Sequence, residues 1–280
     1  MKSDIVHIKS NYKWYEFNIK ELLEYKDLLF MFVKDSLVSS YKQTILGPLW
    51  LIINPLITTV LYTLVFGNIA KLSTDGIPEF IFYLAGNAIW SYFQICVSRN
   101  ANTFIENSSV MGKVYFPRLI MPISAVITAL VNLLVQVIIL FISMVVFSLM
   151  GVEFNISMSI LLVPVLIIQT AMFGLGCGII VSSTTTVFRD LVSVVNLFMQ
   201  LWMYASPVVY PISEINNPIL YKIYMLNPMA PIITAWRSVI FGLENIPYFY
   251  WGISIVVTII VLIIGVTLFN KVEKSFMDTI

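Results

Sequence analysis

The chain has 280 residues, of which 59% are apolar and 11% are charged, whereas roughly 25% of residues are charged in a typical soluble domain. This balance excludes a soluble globular protein and indicates an integral membrane protein. The 16 Lys and Arg residues nearly cancel the 15 Asp and Glu residues, so the chain has no overall basic charge with which to hold nucleic acid.

The first 48 residues are predicted to form a cytoplasmic tail and an interface helix. Residues 16–35 interleave apolar and charged side chains, a pattern typical of an amphipathic helix that carries too much charge to cross a bilayer. We expect this helix to lie on the cytoplasmic membrane surface, where its lysines meet anionic lipid. Docking of a protein partner is the alternative role for this segment.

Six runs with few or no charges follow the interface helix. A crossing needs about 20 apolar helical residues, and each run reaches or nearly reaches that length. The runs cover residues 43–70, 80–98, 119–152, 154–188, 191–213 and 245–270. The sequence therefore predicts an all-α integral membrane protein with six transmembrane helices in a single transmembrane domain. Its six-span core covers residues 49–270, and residues 271–280 form a cytoplasmic tail.

The positions of the basic residues predict the orientation of these spans. Thirteen of the 16 Lys and Arg residues lie on the side that holds both termini, and only Lys71, Lys222 and Arg237 lie on the opposite side. Because basic residues concentrate in cytoplasmic loops, both termini are expected in the cytoplasm.

The longest segment predicted on the outer side covers residues 212–248. Within it, residues 223–236 carry no charge but are too short to cross, and prolines at 218, 228 and 231 interrupt the longer segment. Broken backbone is tolerated at membrane depth only where protein or a water-filled cavity surrounds it. We therefore expect re-entrant outer helices between spans five and six.

The sequence lacks the residues that would supply energy or catalysis. No glycine-rich loop ends in Gly-Lys-Ser/Thr, the spans carry ionisable groups only near their ends, and His7 is the single histidine. Cys96 and Cys177 lie inside apolar runs, which argues against a disulfide scaffold or a zinc site. We therefore expect no catalytic residue, no metal site and no cofactor in this chain.

Two cytoplasmic loops have the composition of protein contacts, because Phe, Tyr and Arg are favoured at interface centres. The candidate contact residues in the loop after the second span are Glu106, Lys113, Tyr115, Phe116 and Arg118. Those in the loop after the fourth span are Phe188, Arg189 and Asp190. Phe116 is expected to be exposed. A separate subunit could drive transport through these loops. A loop that lies against lipid is the alternative.

Several short motifs occur in order along the chain. They are YKQTILGPLW at 41–50, NPL at 54–56, VFG at 65–67, KVYFPR at 113–118, FRD at 188–190, SPVVY at 206–210 and LNPM at 226–229. With these motifs the chain resembles the membrane permease subunit of ABC transporters that export polysaccharides, including the O-antigen and teichoic acid exporters.

The resemblance implies a homodimer of six-span permeases in the bacterial cytoplasmic (inner) membrane, with the pore at the interface of the two copies. It also implies two cytoplasmic ABC ATPase subunits that carry ATP and magnesium, so the permease itself is not an enzyme. The two candidate loops would couple to these ATPases, and residues 214–240 would form the outer re-entrant pair. The implied substrate is a glycan on a lipid diphosphate carrier, moved outward.

Aromatic residues at helical spacing support a glycan substrate, because aromatic rings contact the flat faces of sugars and polar side chains bond their hydroxyl groups. The candidate conduit residues are Tyr62, Phe66, Phe80, Tyr83, Asn87, Trp90, Phe198 and Trp202. Aromatic belts at the membrane interfaces are the alternative reading of these rings. Arg99 and Lys42 are candidates for binding the lipid phosphate near the cytoplasmic side.

Two other functions are compatible with the same sequence. The first is a related ABC permease that exports a drug or a small lipid and needs no continuous aromatic lining. The second is a membrane enzyme or scaffold that acts without ATP.

Overall fold

A computed structural model describes residues 19–42, 45–104, 106–107, 116–155, 158–185, 190–243 and 246–277, and these residues form helices and loops without a β-strand. The α-helices in these ranges are α1 (Ile19–Glu24), α2 (Lys26–Tyr41), α3 (Trp50–Tyr62), α4 (Glu79–Ala101), α5 (Ile120–Leu149), α6 (Val163–Thr185), α7 (Leu191–Tyr204), α8 (Pro218–Met225), α9 (Met229–Phe241) and α10 (Tyr248–Met277). The predicted all-helical class is confirmed.

Five helical segments are long and apolar enough to cross a membrane. They are Gly47–Ile69, Glu79–Ala101, Ile120–Leu149, Met158–Thr185 and Tyr248–Val272, and each has between 23 and 30 residues. The first contains α3 with a 3-10 turn before it and a π-helix after it, and the fourth contains α6 with a preceding 3-10 helix. A helix of this length spans about 35–45 Å, which exceeds the hydrocarbon thickness of about 30 Å.

The fifth run of the sequence forms a shorter helix than predicted. α7 has 14 residues, which correspond to about 21 Å of helix. The charge-free run continues to residue 213, but the helix ends at Tyr204 and turns follow it. Pro207 and Pro211 lie in this part of the chain and cannot donate the backbone hydrogen bonds that a longer helix would require.

Two short helices, α8 and α9, occupy the segment in which re-entrant helices were predicted. Pro218 is the first residue of α8, and the side chain of Asn217 accepts hydrogen bonds from the backbone N–H groups of Ile219 (2.9 Å) and Leu220 (3.3 Å). Gly242 ends α9 with a φ of 68°, a left-handed conformation that glycine adopts without strain. α8 is largely exposed, whereas almost every residue of α9 is buried.

α4 is the central helix, and every residue from 81 to 90 is buried. α6 packs closely against α4, and glycines of α6 lie at the contact. A Cβ atom added at Gly174 would lie 2.7 Å from Cys96 Cβ, and one added at Gly178 would lie 2.4 Å from Asn100 Cβ. Gly176 faces the other way, where its Cβ would lie 3.0 Å from the backbone of Leu262 in α10. The three glycines therefore permit close helix packing on both sides of α6.

The N-terminal helices pack on the end of the bundle that carries the predicted cytoplasmic loops. Leu28 and Phe32 of α2 pack against a buried cluster that includes Phe104 and Phe269. Other apolar side chains of these two helices point away from the bundle and are exposed, namely Leu23, Phe30, Met31 and Val38. Charged residues share this exposed side, and α2 extends to Tyr41, beyond the predicted end at residue 35.

Candidate functional site

A groove with a volume of about 340 Å³ lies between α3, α4 and α5, and Met203 of α7 closes one side of it. Half of the described side chains in its wall are polar, and none of these described side chains is charged. The polar members are Asn54, Thr58, Asn87, Ser91, Gln94, Asn132 and Gln136. Among the residues described, no group of three or more His, Cys, Asp or Glu side chains is placed to hold a metal ion.

Three of the predicted conduit residues, Tyr62, Asn87 and Trp90, line this groove. The hydroxyl of Tyr62 donates a hydrogen bond to the sulfur of Met203 at 3.2 Å, which links α3 to α7 across the groove wall. The structure therefore brings together three of the predicted conduit residues and adds Trp50 as a third aromatic wall residue.

Several amide side chains of the groove have unused hydrogen-bonding capacity. Gln136 Nε2 donates to Ser91 Oγ at 3.1 Å, so this pair links α5 to α4. By contrast, the side chains of Asn54, Asn87 and Gln94 make no hydrogen bond to any described part of the chain. An unpaired amide in an apolar environment costs roughly 2–7 kcal/mol, so these groups favour a polar occupant.

Other residues of the predicted conduit lie behind the groove. The ring of Tyr62 contacts those of Phe66 and Tyr83, with centroid distances of 5.7 and 6.5 Å. Tyr83 is fully buried, and Phe80 packs half-buried against the same core. These three side chains support the groove wall and do not line it.

Trp202 packs into the interior, while Phe198 remains 55% exposed one turn earlier on α7. The Trp202 ring lies 6.2 Å from that of Trp90 and 5.3 Å from that of Phe93. Its indole N–H donates to Oδ1 of Asn227 at 3.0 Å. Neither Phe198 nor Trp202 lines the groove.

Asn227 joins the end of α7 to the corner between α8 and α9. Besides accepting from Trp202, its side chain donates to the carbonyl of Ala205 and to the hydroxyl of Ser206, both at 2.9 Å. The backbone N–H of Met229 donates to the same Oδ1 at 3.2 Å. The SPVVY and LNPM motifs therefore meet at one amide side chain.

Arg237 is a buried residue whose structural contacts the sequence did not reveal. It counted there as an outer loop charge, but the structure buries it in α9 with 5% exposure. Its guanidinium donates to the carbonyl oxygens of Pro207 (2.6 Å), Val208 and Phe82, and lies 3.6 Å from the ring centroid of Phe82. The only signal in the sequence was a lone arginine in an otherwise charge-free stretch.

A pair of tyrosines links α8 to the end of α7. The hydroxyl of Tyr224 donates to that of Tyr210 at 2.8 Å, and Tyr210 donates in turn to the carbonyl of Tyr204 at the end of α7.

The predicted cytoplasmic contact residues are placed in different environments. Glu106 and Asp190 are exposed, and Asp190 directly precedes α7. Phe116 was expected to be exposed, but it is 4% exposed and its ring lies 5.8 Å from that of Phe32, because α2 covers this loop. Arg118 is also buried. The remaining contact candidates, Lys113, Tyr115, Phe188 and Arg189, lie outside the described residues.

The two candidate phosphate-binding residues differ in their surroundings. Arg99 lies in the last turn of α4 and donates through Nη1 to the hydroxyl of Ser36 in α2 at 3.1 Å. This bond leaves other guanidinium donors of Arg99 for a ligand. Lys42 is exposed directly after the end of α2.

Comparison with known proteins identifies the family. A family model described as "ABC-2 type transporter" matches residues 27–241. The chain is 27% identical to the O-antigen export system permease protein RfbA of Myxococcus xanthus over 226 residues, which cover 80% of this chain and 84% of the relative. It is 28% and 29% identical to two proteins of the same description from Klebsiella pneumoniae, over 90% of this chain and 94% of each relative. The chain therefore belongs to the ABC-2 type transporter family of membrane proteins.

Proposed function

We propose that this chain is the transmembrane subunit of an ATP-driven exporter that moves a lipid-linked polysaccharide of the O-antigen type out of the cytoplasm. The groove between α3, α4 and α5 is the observation that carries this proposal, since unpaired amides beside aromatic rings suit the hydroxyl groups and flat faces of sugars. The relatives support it, because three of them are described as O-antigen export permeases.

A second copy of the chain would complete the conduit. Much of the surface of α3 is exposed, and its exposed residues include the apolar Ile57, Val60 and Leu61 next to the groove residue Asn54. Polar groups such as the Asn54 amide are costly against lipid, whereas they are tolerated beside a water-filled cavity. Pairing of two copies through α3 would cover the apolar side chains and enclose the two grooves in one pore.

Energy would come from two cytoplasmic ABC ATPase subunits that bind ATP and magnesium. The chain has no phosphate-binding loop of its own, so it would act as a permease and not as an enzyme. The loops around Glu106 and Asp190 and the exposed side of α1 and α2 form the proposed docking surface for these subunits.

The proposed arrangement in the bacterial cytoplasmic membrane has six crossings and both termini in the cytoplasm. The five long helices would supply five crossings, and α7 with the turns after it would supply the remaining one. α8 and α9 would form the re-entrant outer pair, which is supported by the burial of α9 inside the protein.

Copurification and ATPase assays test this function. The chain would be co-expressed with candidate ABC ATPase subunits, and ATP hydrolysis by the complex in lipid would be measured with and without lipid-linked glycan. We expect stable association and glycan-stimulated hydrolysis. Stimulation by a drug or a simple lipid in place of the glycan would favour a small-molecule permease. Activity of the chain without any ATPase subunit would overturn the assignment.

A further inference from the structure

Among the residues that the structure describes, no charged side chain lines the groove between α3, α4 and α5. α3, α5 and α7 contain no Asp, Glu, Lys or Arg, and α4 contains only Glu79 and Arg99, at its two ends. Glu79 lies eight residues before Asn87, or about 12 Å along the helix axis, and Arg99 lies five residues after Gln94, or about 7 Å. The wall of the groove is therefore polar but uncharged.

The two charged residues of α4 both lie outside the groove. Arg99 donates to Ser36 on the cytoplasmic side. The Glu79 carboxylate lies against Gly67, where a Cβ atom would be 2.0 Å from Oε2. Neither residue lines the groove, so neither offers a counter-charge to an occupant of it.

The free amides of Asn54, Asn87 and Gln94 match the chemistry of sugar hydroxyl groups. Each amide offers donors and an acceptor, and each hydroxyl offers a donor and two acceptor sites, so the two can pair in several orientations. Trp50, Tyr62 and Trp90 supply aromatic surface beside these amides. A polymer with many equivalent hydroxyl groups could therefore move past the wall by exchanging one such bond for another.

A charged sugar polymer would meet a different environment in the same groove. A uronate carboxylate or a phosphodiester loses hydration on entering a low-dielectric site, and this loss is compensated when Lys or Arg donates charge-assisted hydrogen bonds. Neutral amides compensate only part of it. The groove thus favours neutral over acidic sugars because it offers neutral amides and because no basic side chain among its described lining residues would pair with an acid.

We propose that this groove binds uncharged, hydroxyl-rich sugar units and disfavours acidic ones, so that the polymer exported by this chain is a neutral glycan. The inference rests on the proposed export function and specifies its substrate class. It assigns the diphosphate of a lipid carrier to a place outside the groove.

Binding of soluble oligosaccharides to the complex of this chain with its ATPase in lipid nanodiscs tests the inference. The probes are a neutral mannose oligosaccharide and an oligogalacturonate of equal length, and tryptophan fluorescence reports binding because Trp50 and Trp90 line the groove. We expect the neutral probe to bind at least about tenfold more tightly at physiological salt, since burial of an uncompensated charge costs several kcal/mol.

A charge placed in the groove should reverse this preference. Gln94→Arg is expected to strengthen binding of the oligogalacturonate and weaken binding of the neutral probe. Gln200→Arg is the matched control, because Gln200 is exposed on α7 and does not line the groove. If Gln94→Arg fails to assemble, Asn54→Leu provides the second variant, since Asn54 is exposed, and it should weaken neutral binding at least about fivefold through loss of its hydrogen bonds.

Equal or tighter binding of the acidic probe to the unmodified complex would overturn the inference, and so would a failure of the neutral probe to bind. The export function is judged separately by glycan-stimulated ATP hydrolysis. A complex stimulated equally by neutral and acidic lipid-linked glycans would retain that function and lose the proposed selectivity. A complex that no lipid-linked glycan stimulates would lose the function itself.

Discussion

Gly86 of α4 makes room for the guanidinium of Arg237 in α9. A Cβ atom at Gly86 would lie 2.1 Å from Nη2 of Arg237 and 2.7 Å from the carbonyl oxygen of Val208. Because Arg237 also bonds this carbonyl, α4, α9 and the turn after α7 meet at a position where α4 presents no side chain. A side chain added at Gly86 should push these three elements apart.

We therefore expect Gly86→Ala to destabilise the protein, although alanine favours a helix over glycine by about 1 kcal/mol. Overpacking of this kind typically costs 1–3 kcal/mol. Gly252→Ala in α10 is the matched control, since no atom lies within 4 Å of its would-be Cβ. Thermal unfolding of the purified complex measures both variants. A Gly86→Ala protein as stable as the control would contradict the proposed contact.

Arg237→Met should destabilise the corner where the turn after α7 meets α4 and α9 by about 3–5 kcal/mol, because it removes the donor shared by three buried carbonyl groups. Arg237→Lys should restore only part of this loss, since an ammonium cannot reproduce the planar fork of the guanidinium. Lys222→Met changes an exposed charge on α8 and serves as the control. Limited proteolysis within residues 205–217 would report opening of the corner. Equal resistance in all variants would show that Arg237 does not hold it.

The bond between Trp202 and Asn227 can be tested by a double-mutant cycle. Trp202→Phe removes the indole N–H, and Asn227→Ala removes its acceptor. We expect a coupling free energy of about 0.5–1.5 kcal/mol in unfolding measurements. Asn216→Ala, at an exposed position nearby, should show no coupling to Trp202→Phe. Strict additivity of the Trp202 and Asn227 variants would argue against the bond.

Arg99 is proposed to bind the phosphate of the lipid carrier, and its contact with Ser36 allows a discriminating test. Ser36→Ala removes only the protein partner of Arg99, whereas Arg99→Gln removes the charge. We expect glycan export to fall at least about tenfold for Arg99→Gln and less than about twofold for Ser36→Ala, since hydrogen bonds to charged groups contribute about 1.5–3 kcal/mol. Both proteins must retain normal assembly. Equal losses would instead assign Arg99 to packing of α2 on α4.

Membrane orientation can be measured by labelling single exposed cysteines. Lys42→Cys is expected to react with a membrane-impermeant maleimide only after the cells are opened, and Asn216→Cys in intact cells, with reagent admitted through the outer membrane where one is present. Both positions are exposed. The natural Cys96 and Cys177 are buried or half-buried, so the unmodified protein provides the background. The reverse labelling pattern would contradict the proposed orientation.

Hydropathy was sufficient to predict the helical class and the positions of the five long helices, because each run is far longer than a buried soluble helix. It could not predict the end of α7. The run continues through apolar residues, but Pro207 and Pro211 prevent the helix from continuing with them. Charge counting likewise could not distinguish a loop arginine from Arg237, whose partners are backbone carbonyls far apart in the sequence.

The conduit residues predicted on α4 show a different limit of prediction from sequence. Helical spacing grouped Asn87 and Trp90, which lie on the wall of one groove together with Tyr62 of α3. It also included Tyr83, which is fully buried. Because α4 is surrounded by other helices, its periodicity does not indicate which residues of one face meet an opening. Which residues line the groove depends on where α3 and α5 separate from each other, and the sequence of α4 alone does not contain this information.

The glycines of α6 also affect how the protein can move. Gly174 and Gly178 hold α6 close to α4, while Gly176 faces α10, where a Cβ at Gly265 would lie 2.8 Å from the Gly176 carbonyl oxygen. Helices in such close backbone contact have little freedom to slide past each other. α4, α6 and α10 should therefore move as one rigid unit. We expect the groove to widen and narrow through displacement of α3 and α7 relative to this unit.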